Sequence, residues 1–394
     1  MKVGHGGYRG SEVPLPIEVL NLILSYTATL HDHLTQYTLW ACCLVSRSWY
    51  AASVSHLYAH PLLGNRNFDK FARTICPPVS AHKPKIGLEN FITRLDMSGL
   101  AYESSKSLTA RLLRRTRNSL ESFAAPAVTF SIACLAPLSK CVHLQLLDLS
   151  CDSYDMTLRQ LLDSIGHLSP LTTLKLPRNA LRGRCNLTSK SHWPMHLRNL
   201  QVTDYLYDDL KSWATLFESW PDSLRGLKIA ECKSYGPLHC LDPSFLTVDT
   251  ITSFEIGISW HEDAFPFHRI LKTFPNTAKF TLPAYEAEQL AKSTGVDEFM
   301  SDIQSGAYLQ DVDHESFVEV LVLTEPQPPA STPPKLSPEI LGRYVHKFSR
   351  LRRLEIPELY AYPAGERMEY EPLNDELERR GNLDNRATCG LYLC

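Results

Sequence analysis

The sequence predicts an α/β protein in two parts: a small N-terminal unit of three helices, then a long curved solenoid with a parallel sheet on its concave face. Three observations carry this. Between Pro14 and Pro61 the apolar residues fall at helical spacing. From Phe91 onward, short strand-like units recur at a near-constant step. Between those units lie apolar patterns of helical period, and strand alternating with helix implies parallel strands joined by crossovers.

Residues 1–12 are glycine-rich and expected to be disordered; the helical unit spans 13–61. Leu20, Ile23, Leu24 and Thr27 stand at i, i+3, i+4 and i+7, one face of a first helix. Pro16 suits its start, and Glu18 in the first turn favours the helix dipole. His31-Asp32-His33 interrupts the pattern, and both histidines read as turn residues. A second helix follows through Tyr37, Trp40, Ala41 and Leu44, then a turn at Ser46-Arg47, then a third helix with Trp49, Ala52 and Ser53. A unit of this size makes a marginal core alone. Ile17, Val19, Leu22, Leu44 and Val45 also widen the apolar face beyond one stripe, which suggests a docking surface.

Residues 62–87 read as a connector in which Phe68, Phe71 and Ile75 fall at i, i+3 and i+7. They are expected to pack near Ile92 and Leu95 and to cap the exposed end of the stack, making a rigid junction.

The repeated units are ITRLDM, LESFAA, LQLLDL, LTTLKL, LRNLQV, LRGLKI, ITSFEI and TAKFTL. They begin at Ile92, Leu120, Leu144, Leu171, Leu197, Leu224, Ile251 and Thr277, in steps of 28, 24, 27, 26, 27, 27 and 26. VEVLVL from Val318 and LRRLEI from Leu351 follow after 41 and 33 residues. Chance has no reason to hold a period, and this one resembles the irregular, ribonuclease-inhibitor-like leucine-rich repeat. The family's turn-bonding ninth position falls on Asn179 and Cys232, with Asp152 as a substitute. The array is placed at 88–360, with a Pro-rich insertion near 325–338 and a C-terminal tail at 361–394. Helices are expected around Leu158–Ile165, Leu210–Trp220, Phe267–Phe274 and Ser337–Phe348.

In each unit the residue before the last apolar position points to the open face: Asp96, Ala124, Asp148, Lys175, Gln201, Lys228, Glu255 and Thr281. The polar members of this strip are the candidate target-binding residues. Their mixed sign announces no strongly charged ligand.

A net charge of −3 predicts no strong attraction to nucleic acid or to a membrane. Arg111, Arg114, Arg115 and Arg117 read as the solvated face of a helix buried through Leu108, Leu112 and Leu113. The 11 cysteines are odd in number, lack a CxxC pair, and include the neighbours Cys42 and Cys43, which argues for free thiols in a reducing compartment. The first residues have no apolar core for a signal peptide, so cytoplasm or nucleus is expected. No phosphate-binding loop, zinc-protease or serine-hydrolase motif occurs. Trp193-Pro194 opposes a helix that would bring His192 and His196 to one metal. An enzyme, a cofactor and a metal site are therefore not expected.

The order Leu15-Pro16, Glu18, Ile23-Leu24 and Leu44-Val45-Ser46-Arg47-x-Trp49 resembles the F-box. One departure is a longer spacer from Ala28 to Tyr37. An F-box followed by leucine-rich repeats resembles the substrate receptor of a Skp–cullin–F-box ubiquitin ligase. The resemblance implies docking on a Skp-family adaptor, and through it a cullin, while the repeats hold an unidentified target. On this pattern Leu15, Pro16, Glu18, Leu20, Ile23, Leu24, Leu44, Val45 and Trp49 face the adaptor, Trp49 having an alternative role in the unit's own core. The alternative function is a scaffold that binds the adaptor without directing degradation.

Overall fold

The computed structural model describes residues 15–30, 33–77, 87–100, 106–126, 130–150, 156–178, 193–203, 216, 219–230, 247–257, 267–284, 317–325, 336–361, 369–382 and 389–394. Helices α1 (Ile17–Thr27), α2 (His33–Cys43) and α3 (Arg47–Ala59) come first. The Pro16 carbonyl accepts from the amides of Val19 and Leu20, and the proline loses nothing there because a helix's first N–H groups have no intrahelical partner. Ser46 caps α3: its hydroxyl accepts from the Trp49 amide at 3.3 Å. Leu20, Leu24, Leu39 and Ala52 form a small core between the three helices.

Eleven strands follow: β1 (Arg94–Asp96), β2 (Ser122–Ala124), β3 (Leu146–Asp148), β4 (Thr173–Lys175), β5 (Asn199–Thr203), β6 (Gly226–Ala230), β7 (Ser253–Gly257), β8 (Lys279–Pro283), β9 (Val320–Thr324), β10 (Arg353–Ile356) and β11 (Gly390–Leu393). They form one sheet in chain order, and every neighbouring pair is parallel. The described helices of this half are α5 (Lys106–Thr116), α6 (Leu135–Leu138), α7 (Leu158–Ile165), α8 (Phe267–Thr273), α9 (Pro338–Lys347) and α10 (Glu371–Asn382). Thr157 and Gln160 cap α7 reciprocally, and the Ser337 hydroxyl accepts from the Ile340 amide in α9.

Register follows from side-chain alternation. Leu95, Phe123, Leu147, Leu174, Leu200, Leu227, Phe254, Phe280, Leu321 and Leu354 lie side by side, each at most 2% exposed. The helices cover this inner row with residues such as Leu112, Leu161, Ile165 and Val345. Where the row changes from Leu to Phe, the rings stack: Phe254 is 5.7 Å from Phe280 and 5.0 Å from Phe274.

One backbone contact repeats at every step. The carbonyl of the residue before each of β1 to β9 accepts two amides from the start of the next strand, as Thr93 does from Glu121 and Ser122, and Arg352 before β10 accepts one, from Gly390. Glu121, Gln145, Thr172, Arg198, Arg225, Thr252, Ala278 and Glu319 do the same. The contact persists from Ala278 to Val320 and from Glu319 to Arg353, so the wide sequence steps leave the register intact.

The ladder begins outside the sheet. The Thr93 amide donates to the carbonyl of Ala59, the last residue of α3, at 3.0 Å. Val54 of α3 belongs to the large core, together with Phe68, Ala72 and Ile75 of helix α4 (Phe68–Ile75) and with Ile92 and Leu95. Arg111 of α5 donates to the Cys76 carbonyl at 3.0 Å, and Arg115 reaches Glu89 at 3.5 Å.

At the other end, the stretch expected as a tail supplies α10 and β11, so the sheet continues past residue 360. Arg380 donates to the carbonyls of Val345 and Phe348 at 2.8 and 2.7 Å, satisfying the C-terminal end of α9. The Asn374 side chain accepts from the Leu391 amide at 2.9 Å. Gly390, at φ 120°, passes so close to Asn374 that a side chain there would collide with it. The ninth-position residues Asn179, Cys232 and Asp152, the core of the Pro-rich insertion and most of the expected 210–220 helix lie outside the described residues.

Leu174→Ala should cost about 2–5 kcal/mol, because it opens a cavity in the inner row. Hydrogen exchange should rise in β3 and β5 as well as in β4, since β4 pairs with both. An unchanged denaturation midpoint would contradict this register.

Candidate functional site

Two surfaces are the candidates for a partner site: the outside of the helical unit and the open face of the sheet. On the first, burial divides the nine expected docking residues. Leu15, Pro16, Glu18, Ile23, Leu44 and Val45 are exposed, Leu44 and Val45 to 67% and 66%. Leu20 and Leu24 are 1% exposed and turn inward, so they build the core and are not part of the docking face. Trp49 is half-buried and packs against the same core.

The division has a simple cause. Helix α1 is apolar almost all round, so two stripes compete for the interior. Leu20 and Leu24, one turn apart, point in, while Val19, Leu22, Ile23 and Tyr26 remain outside. In α2 the expected stripe faces solvent. Tyr37 and Trp40 are exposed, with ring centroids 5.5 Å apart, and Thr35 and Leu39 point in. Leu34 and Tyr50 add to the exposed apolar surface and were not expected there. The available signal was composition: between Leu15 and Ser46 only Glu18 and Asp32 are acidic and no Lys or Arg occurs. So sparsely charged a surface on so small a unit suits an apolar partner.

Behind this face, Gln36 ties α2 to the exit of α3. It donates to the Leu57 carbonyl at 2.9 Å and accepts from the Leu62 amide at 2.8 Å. The adjoining cavity, of about 90 Å³, is lined by Thr35, Leu39, His56 and His60 among others. It is far below the size of a cofactor site. Burial lowers the His56 pKa and raises that of Cys43.

On the second surface, Asp96, Ala124, Asp148, Lys175, Gln201, Lys228, Glu255 and Thr281 stand in one register row, which continues through Val322 and Glu355 to Tyr392. Thr281 is the exception to the expected exposure: it is buried, as β8 is from Phe280 to Pro283, a nonpolar or small run suited to cover on both faces. Two pairs of the row's charges bond to one another, Lys175 with Asp148 at 2.6 Å and Lys228 with Glu255 at 2.5 Å, while Glu355 pairs with Arg353 of its own strand at 2.6 Å. Asp96 and Asp148 also close turns, each accepting from the amide and hydroxyl of the serine two residues on. Burial alone would raise the Asp148 pKa; the hydrogen bonds from Lys175 and Ser150 outweigh it and hold the carboxyl below the usual range.

Among the described residues, no group of three or more His, Cys, Asp or Glu could hold a metal ion, and no helix is long and apolar enough to cross a membrane. His196 is exposed, and His192 lies outside the described residues.

Residues 14–63 match the F-box-like family model. The chain is 30% identical over 189 residues to the F-box protein YDR306C of Saccharomyces cerevisiae, a stretch covering 48% of this chain and 37% of that protein. It is 30% identical over 190 residues to protein pof5 of Schizosaccharomyces pombe, covering 48% of this chain and 50% of that one. The alignments thus span half or less of either relative's length.

Leu24→Ala should destabilise the helical unit by about 2–5 kcal/mol, whereas Leu44→Ala should change its stability by less than about 0.5 kcal/mol. Thermal denaturation followed by circular dichroism checks the pair. Equal effects would contradict the division between core and surface.

Proposed function

We propose that this chain is the substrate-recognition subunit of a Skp–cullin–F-box E3 ubiquitin ligase. Residues 14–63 dock on a Skp-family adaptor, and the sheet half presents a target protein. The observation that carries this is the sparsely charged, exposed apolar surface of Leu15, Ile23, Leu44 and Val45 on a unit matching the F-box-like model. Pro16 and Glu18 lie on the same exterior. The chain performs no bond chemistry. It raises the concentration of target lysines near a conjugating enzyme, an effective-molarity effect. Its place of action is the cytoplasm or nucleus.

The sheet half is, on this reading, a leucine-rich-repeat solenoid. In support, each step of 24 to 28 residues delivers one strand to the same register. Strands sit about 4.8 Å apart while packed helices need 8–10 Å, so the stack bends with its strands on the concave side. The open-face row Asp96, Asp148, Lys175, Gln201, Lys228 and Glu255 then lines that concavity. Thr281 does not contribute, because it is buried.

Replacing both Leu15 and Pro16 with Ala should lower adaptor co-purification about tenfold or more, with the sheet's melting transition unchanged. Undiminished co-purification would overturn the docking assignment. Target accumulation on deletion of the gene tests the degradative role; unchanged abundance of every captured partner would leave a scaffold instead.

A further inference from the structure

The open-face row has a symmetric centre. Across β3 to β7 it reads Asp148, Lys175, Gln201, Lys228, Glu255. The two lysines flank Gln201 from the neighbouring strands, about 10 Å apart by strand spacing. Each is tied outward, Lys175 to Asp148 and Lys228 to Glu255, and each ammonium has further donors to offer. The Gln201 side chain makes no hydrogen bond among the described residues.

The strands beneath add no opposing charge. The stretches Arg198–Thr203 and Arg225–Ala230 contain no acidic residue, and Arg198 and Arg225 are exposed where β5 and β6 begin. Gly226 presents no side chain on this face, and Asn199 leans into the space it leaves. The result is a polar saddle over β5 and β6, its two lysines each paired with an acidic residue on the far side.

We propose that this saddle receives an acidic side chain, a carboxylate, of the partner protein. Lys175 and Lys228 hold its charge from either side, and Gln201 is the specificity-determining residue, donating its amide hydrogens from below. The proposal rests on the reading that the sheet presents a target. A carboxylate fits better than a phosphate dianion, for two reasons. Both lysines are already partly neutralised by their own partners. The Arg225 guanidinium, whose fork suits a dianion, donates instead to the backbone carbonyls of Asp222 and Leu224. The flanking Asp148 and Glu255 further favour basic residues on either side of the partner's acid.

The test screens the full chain against beads carrying random decapeptides, with glutamate, phosphoserine, lysine and neutral residues allowed at every position. Glutamate should be enriched on the retained beads. Joint Lys175→Ala and Lys228→Ala replacement should lower retention about tenfold, and Arg at both positions should preserve it. If the alanine variant loses its melting transition, Gln201→Glu gives the same loss by repulsion. No enrichment of glutamate, enrichment of phosphoserine in its place, or undiminished retention by the variants would overturn the proposal. So would a dimer of the chain that these variants dissolve, which would assign the face to a second copy. Adaptor co-purification is scored on the same preparations. Its absence overturns the ligase reading alone, and adaptor binding without glutamate selection overturns this inference alone.

Discussion

The structure depends on a chain of backbone carbonyls that begins at Ala59 and passes through Thr93, Glu121 and Gln145 to Glu319 and Arg352. Each accepts from the next repeat and so fixes where the next strand starts. Side-chain alternation then leaves no choice about which residues are buried, because a slip of one residue would turn the whole leucine row outward.

The first rung lies in α3 itself. Its C-terminal carbonyl occupies the place of a preceding repeat, and Val54 and α4 cover the inner row at that edge. A sheet edge and an open core end are both liabilities, and here the helical unit closes them. The same helix carries Ala52 in the small core. The outer surface of the unit is thereby set in a fixed relation to the strands. The far end is closed by different means, with Arg380 on the end of α9 and Asn374 on β11.

Much of this was legible in the sequence. Leu95, Leu147, Leu174 and Leu227 announced the inner row by period alone, and Phe68, Phe71 and Ile75 announced the helix that covers its end. The failures share one physical cause: periodicity reports an apolar stripe without saying what it faces. In α2 the Tyr37–Trp40 stripe was the more visible and points outward, while Thr35 and Leu39 point in. In α1 Ile23 belongs to the outer stripe although it stands next to Leu24. β11 escaped notice because Gly390–Leu393 is four residues long and follows a charged helix. Of the open-face strip, position was readable and use was not. That Lys175 and Lys228 lean away from Gln201 toward acids on the outer strands follows only from geometry.

The central claim is that the helical unit binds through its outer stripes while its inner side is part of the sheet's core. Hydrogen exchange of the full chain, measured with and without a purified Skp-family adaptor, tests it most directly. The account predicts slowed exchange in peptides covering residues 15–26 and 44–50 when the adaptor is added. The Thr93 amide and the strands should be slow in both states. Fast exchange at Thr93 without the adaptor, or adaptor protection over the sheet with none at residues 15–26, would contradict it.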